Sequence, residues 1–365
     1  MSYRIIIVFI GLVLLFSCSG HNDKLYDELE TCLAKRQEVT KAKEEKIADL
    51  KVELNKCKDE QGRFALCDSL VKHYYLFNSD SASKYIDLEM KLAEKLNRAD
   101  YINKVRILDA YTLATSGHYN DAETTMQNVD TAALDKKNLR LYYETWRWIY
   151  NTWEAYVKDE ARADIYAKKA DAYLDTLCMI EPGNTANGLY FKAEKQWNLG
   201  NLKEAEKNYL ACISKLDKSE RIYASACCAL AMVYEMQERY DDYEHYMILA
   251  AISDQSIPLK ENLAMQELAE YLSHHKMEYN QAQRYLVYSV EDAIYYNNRL
   301  RLTEIARKLP DIALGYQKAE DTIAKYNLTV IAIMGALALG LLVVVMYSLK
   351  QNKTLKAQRK DRIIL

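Results

Sequence analysis

The feature that most constrains this chain is an uncharged apolar stretch of 22 residues, 328–349. A helix of that length is about 33 Å long, and the hydrocarbon core of a bilayer is about 30 Å thick. Lipid offers no partner for backbone hydrogen bonds, so only a helix could cross a membrane here. The stretch therefore predicts a transmembrane helix. The alternative, a buried core helix, seldom runs this long without a charge.

The flanks of this stretch predict its orientation. Residues 350–365 carry six Lys and Arg against one acid, whereas residues 311–326 carry three acids and two lysines. The positive-inside rule places the basic tail in the cytoplasm and everything before the span outside it. Residues 310–327 are predicted as a connecting helix. The tail is too short for a domain, so we expect the natural protein to continue past Leu365.

The N-terminus predicts export. Residues 1–18 contain Arg4 and then twelve apolar residues, 5–16, and they end in Leu-Phe-Ser-Cys. Twelve apolar residues are too few to span a bilayer but suit a signal peptide. The ending resembles the lipobox of bacterial lipoproteins, which implies that the Cys18 thiol accepts a diacylglycerol. A plain export signal with an incidental cysteine is the alternative.

Composition indicates a helical protein outside the nucleic-acid-binding classes. The net charge of −3 gives no field that would attract nucleic acid, and 3 Pro with 10 Gly are few helix breakers for 365 residues. The chain has 30 Tyr and only 5 Phe. Tyrosine packs its ring while its hydroxyl stays wet, which suits thin two-layer structures. A surplus of ligand-binding tyrosines is the alternative.

Residues 19–62 are predicted as one long helix. Apolar residues recur every three or four positions, as they do along one face of a helix. Arg36, Lys43 and Lys46 interrupt this apolar face. A weak coiled coil, a solvated stalk and a helix lying on the next domain are equally compatible with this pattern.

An internal repeat occupies residues 63–309. In its clearest unit, 186–212, Ala193 and Ala205 are the small residues of two crossing helices, and Gly200 turns the chain between them. The unit resembles a tetratricopeptide repeat (TPR). The resemblance implies an all-α fold, namely a TPR-like α-solenoid with an N-terminal long helix and one C-terminal transmembrane helix.

The same frame fits other segments: 103–129, 224–250 and 263–289. Two further pairs are predicted over 63–96 and 139–177. In two units the small residue is missing, because Tyr243 and Glu270 stand in its place. The predicted turns fall at positions 117, 200, 238 and 277, a spacing longer than the usual 34 residues.

Motifs for catalysis, metals and cofactors are absent from the sequence. It has no G-x-S-x-G, no phosphate-binding glycine loop and no H-E-x-x-H. Glu270 and His274 would share a helix face, but they lack a third ligand, so polar surface residues are favoured over a metal site. We expect a protein that is not an enzyme and uses no cofactor.

In TPR proteins, the first helix of each pair lines a concave groove that takes peptides or partner segments. Transferred position by position, the resemblance implies a groove face made of Tyr111, Tyr190, Glu194, Trp197, Met232, Glu235, Glu267, Tyr271 and His274. Aromatic rings between carboxylates suit a ligand with apolar and basic or hydroxyl groups. The alternative is a mixed, solvated inner face without a ligand.

The transmembrane stretch carries small residues at four-residue spacing: Ala332, Ala336 and Gly340. Such a face lets two helices approach closely and predicts a homodimer.

The order of segments resembles Gram-negative bacterial membrane regulators that join an exported TPR sensor region to a cytoplasmic output module. It implies a single-pass inner-membrane protein whose periplasmic solenoid binds a ligand or a protein or peptide partner of the envelope, for signalling or transcription regulation. The alternative is an envelope scaffold that mediates protein–protein interactions without signalling.

Overall fold

A computed structural model describes residues 22–363 of the chain, with side chains up to residue 353. These residues are helical and include no strand, so the predicted all-α class is confirmed. They divide into two compact units, which meet in the sequence between Leu309 and Pro310. The predicted signal peptide and Cys18 lie outside the described residues, as do the side chains of 354–365.

Fifteen α-helices occur in the described residues: α1 (Asp23–Ala34), α2 (Arg36–Lys56), α3 (Glu60–Tyr74), α4 (Ser79–Lys95), α5 (Ala99–Thr115), α6 (Tyr119–Gln127), α7 (Lys136–Tyr156), α8 (Glu160–Ile180), α9 (Ala186–Asn198), α10 (Leu202–Ile213), α11 (Arg221–Met236), α12 (Tyr240–Ser256), α13 (Ala264–Tyr271), α14 (Tyr279–Tyr296) and α15 (Arg299–Ile363). Helices α3 to α14 form six consecutive pairs.

Small residues lie where the helices of a pair cross. Ala110, Ala193 and Ala231 of the first helices are fully buried, and so are Ala122 and Ala205 of the second helices. With only a methyl group at the crossing, the two backbones can approach closely and the flanking larger side chains interdigitate. These are the positions that the repeat frame predicted.

Four of the six turns inside the pairs use a left-handed backbone. All four predicted turn positions have a positive φ: 85° at Gly117, 76° at Gly200, 59° at Glu238 and 57° at Met277. Glycine adopts this conformation freely, whereas a residue with a Cβ pays about 1 kcal/mol. The last two pairs, which turn at Glu238 and Met277, therefore keep the same turn geometry at a cost in backbone strain. The pairs that turn at Gly117 and Gly200 avoid this cost.

The frame of the last pair differs from the prediction by one residue. The sequence placed Glu270 at the small-residue position, but the buried small residue is Ala269. A π-helical segment, Leu272–Lys276, follows α13. Because a π turn takes up one more residue than an α turn, it shifts the register between the crossing and the turn at Met277.

The predicted long N-terminal helix is divided into α1 and α2 at Lys35. The Lys35 amide shares its hydrogen bond between the carbonyls of Thr31 and Cys32, which tightens the chain there. Both helices lie on the solenoid. In α1, Tyr26 donates a hydrogen bond to Glu244 of α12 (2.8 Å), and Leu54 of α2 packs into the core of the first pair.

The first and last helix pairs touch, so the row of pairs closes on itself. At the start of α4, Ser79 Oγ donates to the carbonyl of Tyr296 at the end of α14 (2.6 Å). The Tyr296 hydroxyl donates to the carbonyl of Tyr75 (2.8 Å). The Lys260 amide bonds the Leu76 carbonyl (2.9 Å). The two ends of the solenoid are thus joined by hydrogen bonds to backbone carbonyls.

A buried carboxylate, Asp292 of α14, reinforces this closure. It accepts hydrogen bonds from Arg36 of α2 and from Asn262 (3.1 Å), and its ion pair with Lys260 is 2.7 Å long. Three segments far apart in the sequence thus meet at one side chain. Because the charge is buried, it is stable only while these donors surround it.

The C-terminal unit contains the predicted span. Among the described helices, α15 is the one that is long and apolar enough to cross a membrane, and its apolar segment is exposed. The predicted small-residue face, Ala332, Ala336 and Gly340, lies in this segment.

A second buried acid, Glu89 of α4, has no compensating donor among the described residues. Its side chain is 0% exposed, and neither carboxylate oxygen has a hydrogen-bond partner. Burial, together with the nearby Asp68, raises the pKa of Glu89 to about 8. The group therefore stays protonated in the folded protein at neutral pH.

We predict that Glu89→Gln stabilises the protein increasingly as the pH rises from 5 to 8. In the unfolded chain Glu89 ionises near pH 4.5, but the folded state holds its proton up to about pH 8. Ionisation therefore favours unfolding across this window. Its removal should raise the free energy of unfolding by about 4 kcal/mol at pH 8 and by little at pH 5.

The measurement is urea or thermal unfolding of the full chain in detergent micelles at both pH values. Glu94→Gln, at an exposed position of the same helix, is the matched control and should show no such trend. An equal effect of Glu89→Gln at both pH values would contradict the prediction.

Candidate ligand-binding cavity

The first helices of the pairs line two adjoining cavities on the inner face of the closed solenoid. One has a volume of about 420 Å³ and the other of about 230 Å³. Both are lined by Trp148, Tyr190, Arg221 and Ser225. Since they share these walls, we treat them together as the inner cavity.

Aromatic rings form the apolar walls of the inner cavity. Tyr111 and Trp148 stack with ring centroids 5.4 Å apart, and Trp148 Nε1 donates to Thr115 Oγ1 (2.9 Å). Tyr190 and Trp197 come from the next first helix, α9. Stacking and hydrogen bonding within the solenoid fix the positions of Tyr111 and Trp148, which still line the cavity. Aromatic side chains commonly form the apolar walls of binding sites in this way.

Opposite these rings lies a network of charges that centres on Glu261, in the segment between α12 and α13. Its carboxylate pairs with Arg221 (2.5 Å) and with Arg301 of α15 (3.3 Å). Burial opposes the ionisation of Glu261, but the two guanidinium groups outweigh it and hold its pKa below the usual range. Glu261 is therefore a carboxylate that both arginines share.

The second acid of the cavity wall, Asp254 of α12, has no such partner. Its side chain is 7% exposed, it lines the inner cavity, and no hydrogen bond or ion pair to its carboxyl group occurs within residues 22–353. Burial raises the pKa of Asp254 to about 7; Arg221 acts against this rise, whereas Glu261 adds to it. A ligand that donates a hydrogen bond here would replace the missing partner.

Four of the nine residues predicted for the groove line the inner cavity. Tyr111 lines the larger part, Tyr190 lines both parts, and Trp197 and Met232 line the smaller one.

Three other predicted residues have structural partners instead. Glu194 is buried in an ion pair with Arg147. Glu267 pairs with Lys308 of α15 (2.5 Å). Tyr271 is buried and packs its ring against that of Tyr243, with centroids 5.1 Å apart. None of these three lines the inner cavity.

The last two predicted residues lie at the end of the groove. Glu235 and His274 are exposed and contribute to neither part of the inner cavity. Partial burial of its carboxyl group, with Glu267 and Glu270 nearby, nevertheless raises the pKa of Glu235.

Most of the polar wall of the inner cavity was not predicted from the sequence. Asp254 comes from a second helix, Glu261 from a linker and Arg301 from a helix after the last pair, whereas the repeat frame assigns the groove to first helices. Arg221 begins a first helix, one turn before the segment that fits the frame. The sequence offers one signal, a run of polar residues between α12 and α13, Lys260 to Asn262. The structure buries all three of them.

Comparison with known families is consistent with this architecture. The family model described as the SusR N-terminal TPR domain matches residues 33–307, which is more than half of the chain. The match begins at the end of α1 and reaches into α15, so it includes all six helix pairs. It confirms the TPR interpretation of the repeats. No curated protein matches the chain.

We predict that Arg147→Gln destabilises the protein, because Glu194 serves the fold. The substitution leaves a buried carboxylate whose other partner is the Tyr209 hydroxyl, at 3.4 Å. The free energy of unfolding should fall by about 3 kcal/mol. The double variant Arg147→Gln with Glu194→Gln should recover much of this loss, since it removes the stranded charge.

Unfolding of the full chain by urea measures both effects. Lys195→Gln is the matched control, because its ion pair with Asp175 is exposed and its loss should change little. If Arg147→Gln were as stable as the wild type, the ion pair would not serve the fold. Glu194 would then again be a candidate for binding a partner in the groove.

Proposed function

The chain belongs to the SusR N-terminal TPR domain family, and from that membership we propose that its solenoid is the ligand-sensing region of a membrane-anchored signalling or transcription regulator. TPR domains are non-catalytic interaction repeats. The observation that carries the proposal is the inner cavity, where aromatic rings converge with Asp254, a buried acid without a partner.

The side chains that line the inner cavity indicate which chemical groups a ligand would need. Trp148 and Tyr190 offer apolar faces, Asp254 accepts hydrogen bonds and Arg221 donates them. A matching ligand has an apolar face, hydroxyl or amino donors and at least one acceptor. Volumes of about 420 Å³ and 230 Å³ suit a small molecule or a short peptide segment.

We propose that the cavity binds its ligand without changing it. The one thiol in its wall, Cys228, has a pKa raised by burial and by nearby carboxylates. It is therefore protonated and a poor nucleophile. The carboxylate of Glu261 is occupied by two arginines, so it is not free to act as a general base.

We predict that a matching ligand raises the melting temperature of the full chain in detergent, and that Asp254→Asn weakens its binding. The screen would use small molecules with an apolar ring and hydroxyl or amino groups, read out by thermal shift. The loss of a charge-assisted hydrogen bond should raise Kd at least tenfold. Asp164→Asn, on the exposed face of α8, is the matched control.

The pH dependence of binding is a second readout. The pKa of Asp254 is raised to about 7, so the carboxylate that accepts the ligand's hydrogen bond predominates only above that value. Affinity should therefore increase between pH 6 and 8 in the wild type and stay level in Asp254→Asn. A ligand that binds both proteins equally at every pH would place the site elsewhere. If no small molecule binds, the envelope scaffold becomes the better hypothesis.

The membrane arrangement is a further part of the proposal. The apolar segment of α15 would span the inner membrane, with the solenoid in the periplasm and the basic tail in the cytoplasm, as the flanking charges favour. Two copies would meet along Ala332, Ala336 and Gly340. Cys18 would be lipidated and hold the other end of the chain at the membrane.

Reporter fusions test this orientation. Alkaline phosphatase fused after Leu309 should be active, because it folds only outside the cytoplasm, and the same enzyme fused after Lys350 should be inactive. Green fluorescent protein at the two positions should give the opposite result and is the control for expression. Equal phosphatase activity from both fusions would contradict the proposed topology.

A further inference from the structure

The first turns of α15 lie in the groove that the sequence predicted for a partner. Leu300 and Ile305 are buried there. Lys308 pairs with Glu267 (2.5 Å) and with Glu270 of α13 (2.6 Å). The chain thus places residues 299–309 of its own last helix against the face of α13. This same helix continues in sequence into the predicted span.

One residue of this docked segment, Arg301, also belongs to the wall of the inner cavity. It pairs with Glu304 one turn later in α15 (2.8 Å) and with Glu261 (3.3 Å). The same Glu261 pairs with Arg221 at 2.5 Å. A single carboxylate therefore joins a residue of the cavity to a residue of the last helix.

The network around Glu261 is not saturated. Arg301 Nε is buried and has no hydrogen-bond partner among the described residues, and the contact of Glu261 with Arg301 is longer than that with Arg221. An unpaired polar group is costly in a buried network, so Arg301 would gain from a shift that brings an acceptor closer. Arg221 holds one oxygen of Glu261, Oε2, and Arg301 holds the other, Oε1. A weaker hold by Arg221 would therefore let the carboxylate move closer to Arg301.

We propose that Glu261 and Arg301 couple occupancy of the inner cavity to the docking of α15. A ligand acceptor that binds Arg221 releases Glu261 from it, and Glu261 then bonds Arg301 more fully and tightens residues 299–309 against the solenoid. The inference rests on the proposed function, since it assigns to the ligand of that cavity a consequence at the helix that leads to the span.

Two variants mimic the states of this switch without any ligand. Arg221→Gln frees Glu261 from its shorter ion pair and so imitates the ligand-bound state. Arg301→Gln breaks the link to α15. In each variant Glu261 keeps one arginine, so neither leaves a stranded buried charge and both should fold.

The experiment is hydrogen–deuterium exchange with mass spectrometry on the full chain in detergent micelles, read from peptides that cover residues 299–309. Arg301→Gln should speed amide exchange in this segment at least tenfold. Arg221→Gln should slow it at least threefold. The double variant should behave like Arg301→Gln alone, because the competition no longer matters. Arg299→Gln, an exposed position in the same turn, is the matched control and should change nothing.

Several results would overturn the coupling. One is unchanged exchange at 299–309 in Arg301→Gln. Another is faster exchange there in Arg221→Gln, which is what simple loss of a structural contact would produce. A third is an equal rise in residues 60–95, which would show global destabilisation.

The test needs no ligand, so it is independent of the screen that tests the proposed function. If exchange responds as expected but no ligand binds the cavity, the link from Arg221 through Glu261 to α15 stands, whereas its control by a ligand and the proposed function both fail. If a ligand binds but exchange does not respond, the coupling alone fails.

Discussion

The structure depends on the contact between the first and the last helix pair. A row of TPR-like pairs is held by neighbours alone, so its inner face is ordinarily an open groove. Here Ser79 and Tyr296 bind across the ends, and Asp292 gathers donors from α2 and from the segment before α13. Because the ends are tied, the inner faces of several pairs turn towards one space. The inner cavity is a consequence of that closure.

The unusual tyrosine content is explained by the same architecture. In a two-layer structure a ring can be packed on one side while its hydroxyl reaches a polar partner at the edge. Tyr285 donates to Glu30 (2.7 Å) and Tyr150 to Glu123 (2.7 Å), so each links two helices through ring and hydroxyl together. Phenylalanine could supply the ring contact but would remove the hydroxyl donor from each of these carboxylates.

The features that could be predicted from the sequence are those formed by residues close together along the chain. Ala193 and Gly200 reveal a crossing and a turn because each acts within one pair. The inner cavity was only half predicted, because Asp254, Glu261 and Arg301 reach it through the superhelical path of the whole solenoid, which no local pattern encodes. The π turn after α13 likewise changed the frame by one residue without a sequence signal that the repeat template could register.

Asp254 and Glu261, two acids of the smaller part of the inner cavity, are suited to different tasks. Asp254 is buried without a donor, so a ligand that supplies one gains the full value of satisfying it, and this acid contributes affinity. Glu261 already has two arginines, so a ligand gains little from it directly. In the proposed coupling, however, a change in its partners alters the contact to Arg301 and hence to α15. A site with only an acid like Asp254 would bind a ligand without any effect on α15. A site with only an acid like Glu261 would bind the ligand weakly and so have little effect on α15. Their juxtaposition, about Arg221, is what a sensor needs, because binding free energy is then partly converted into a change at a distant segment.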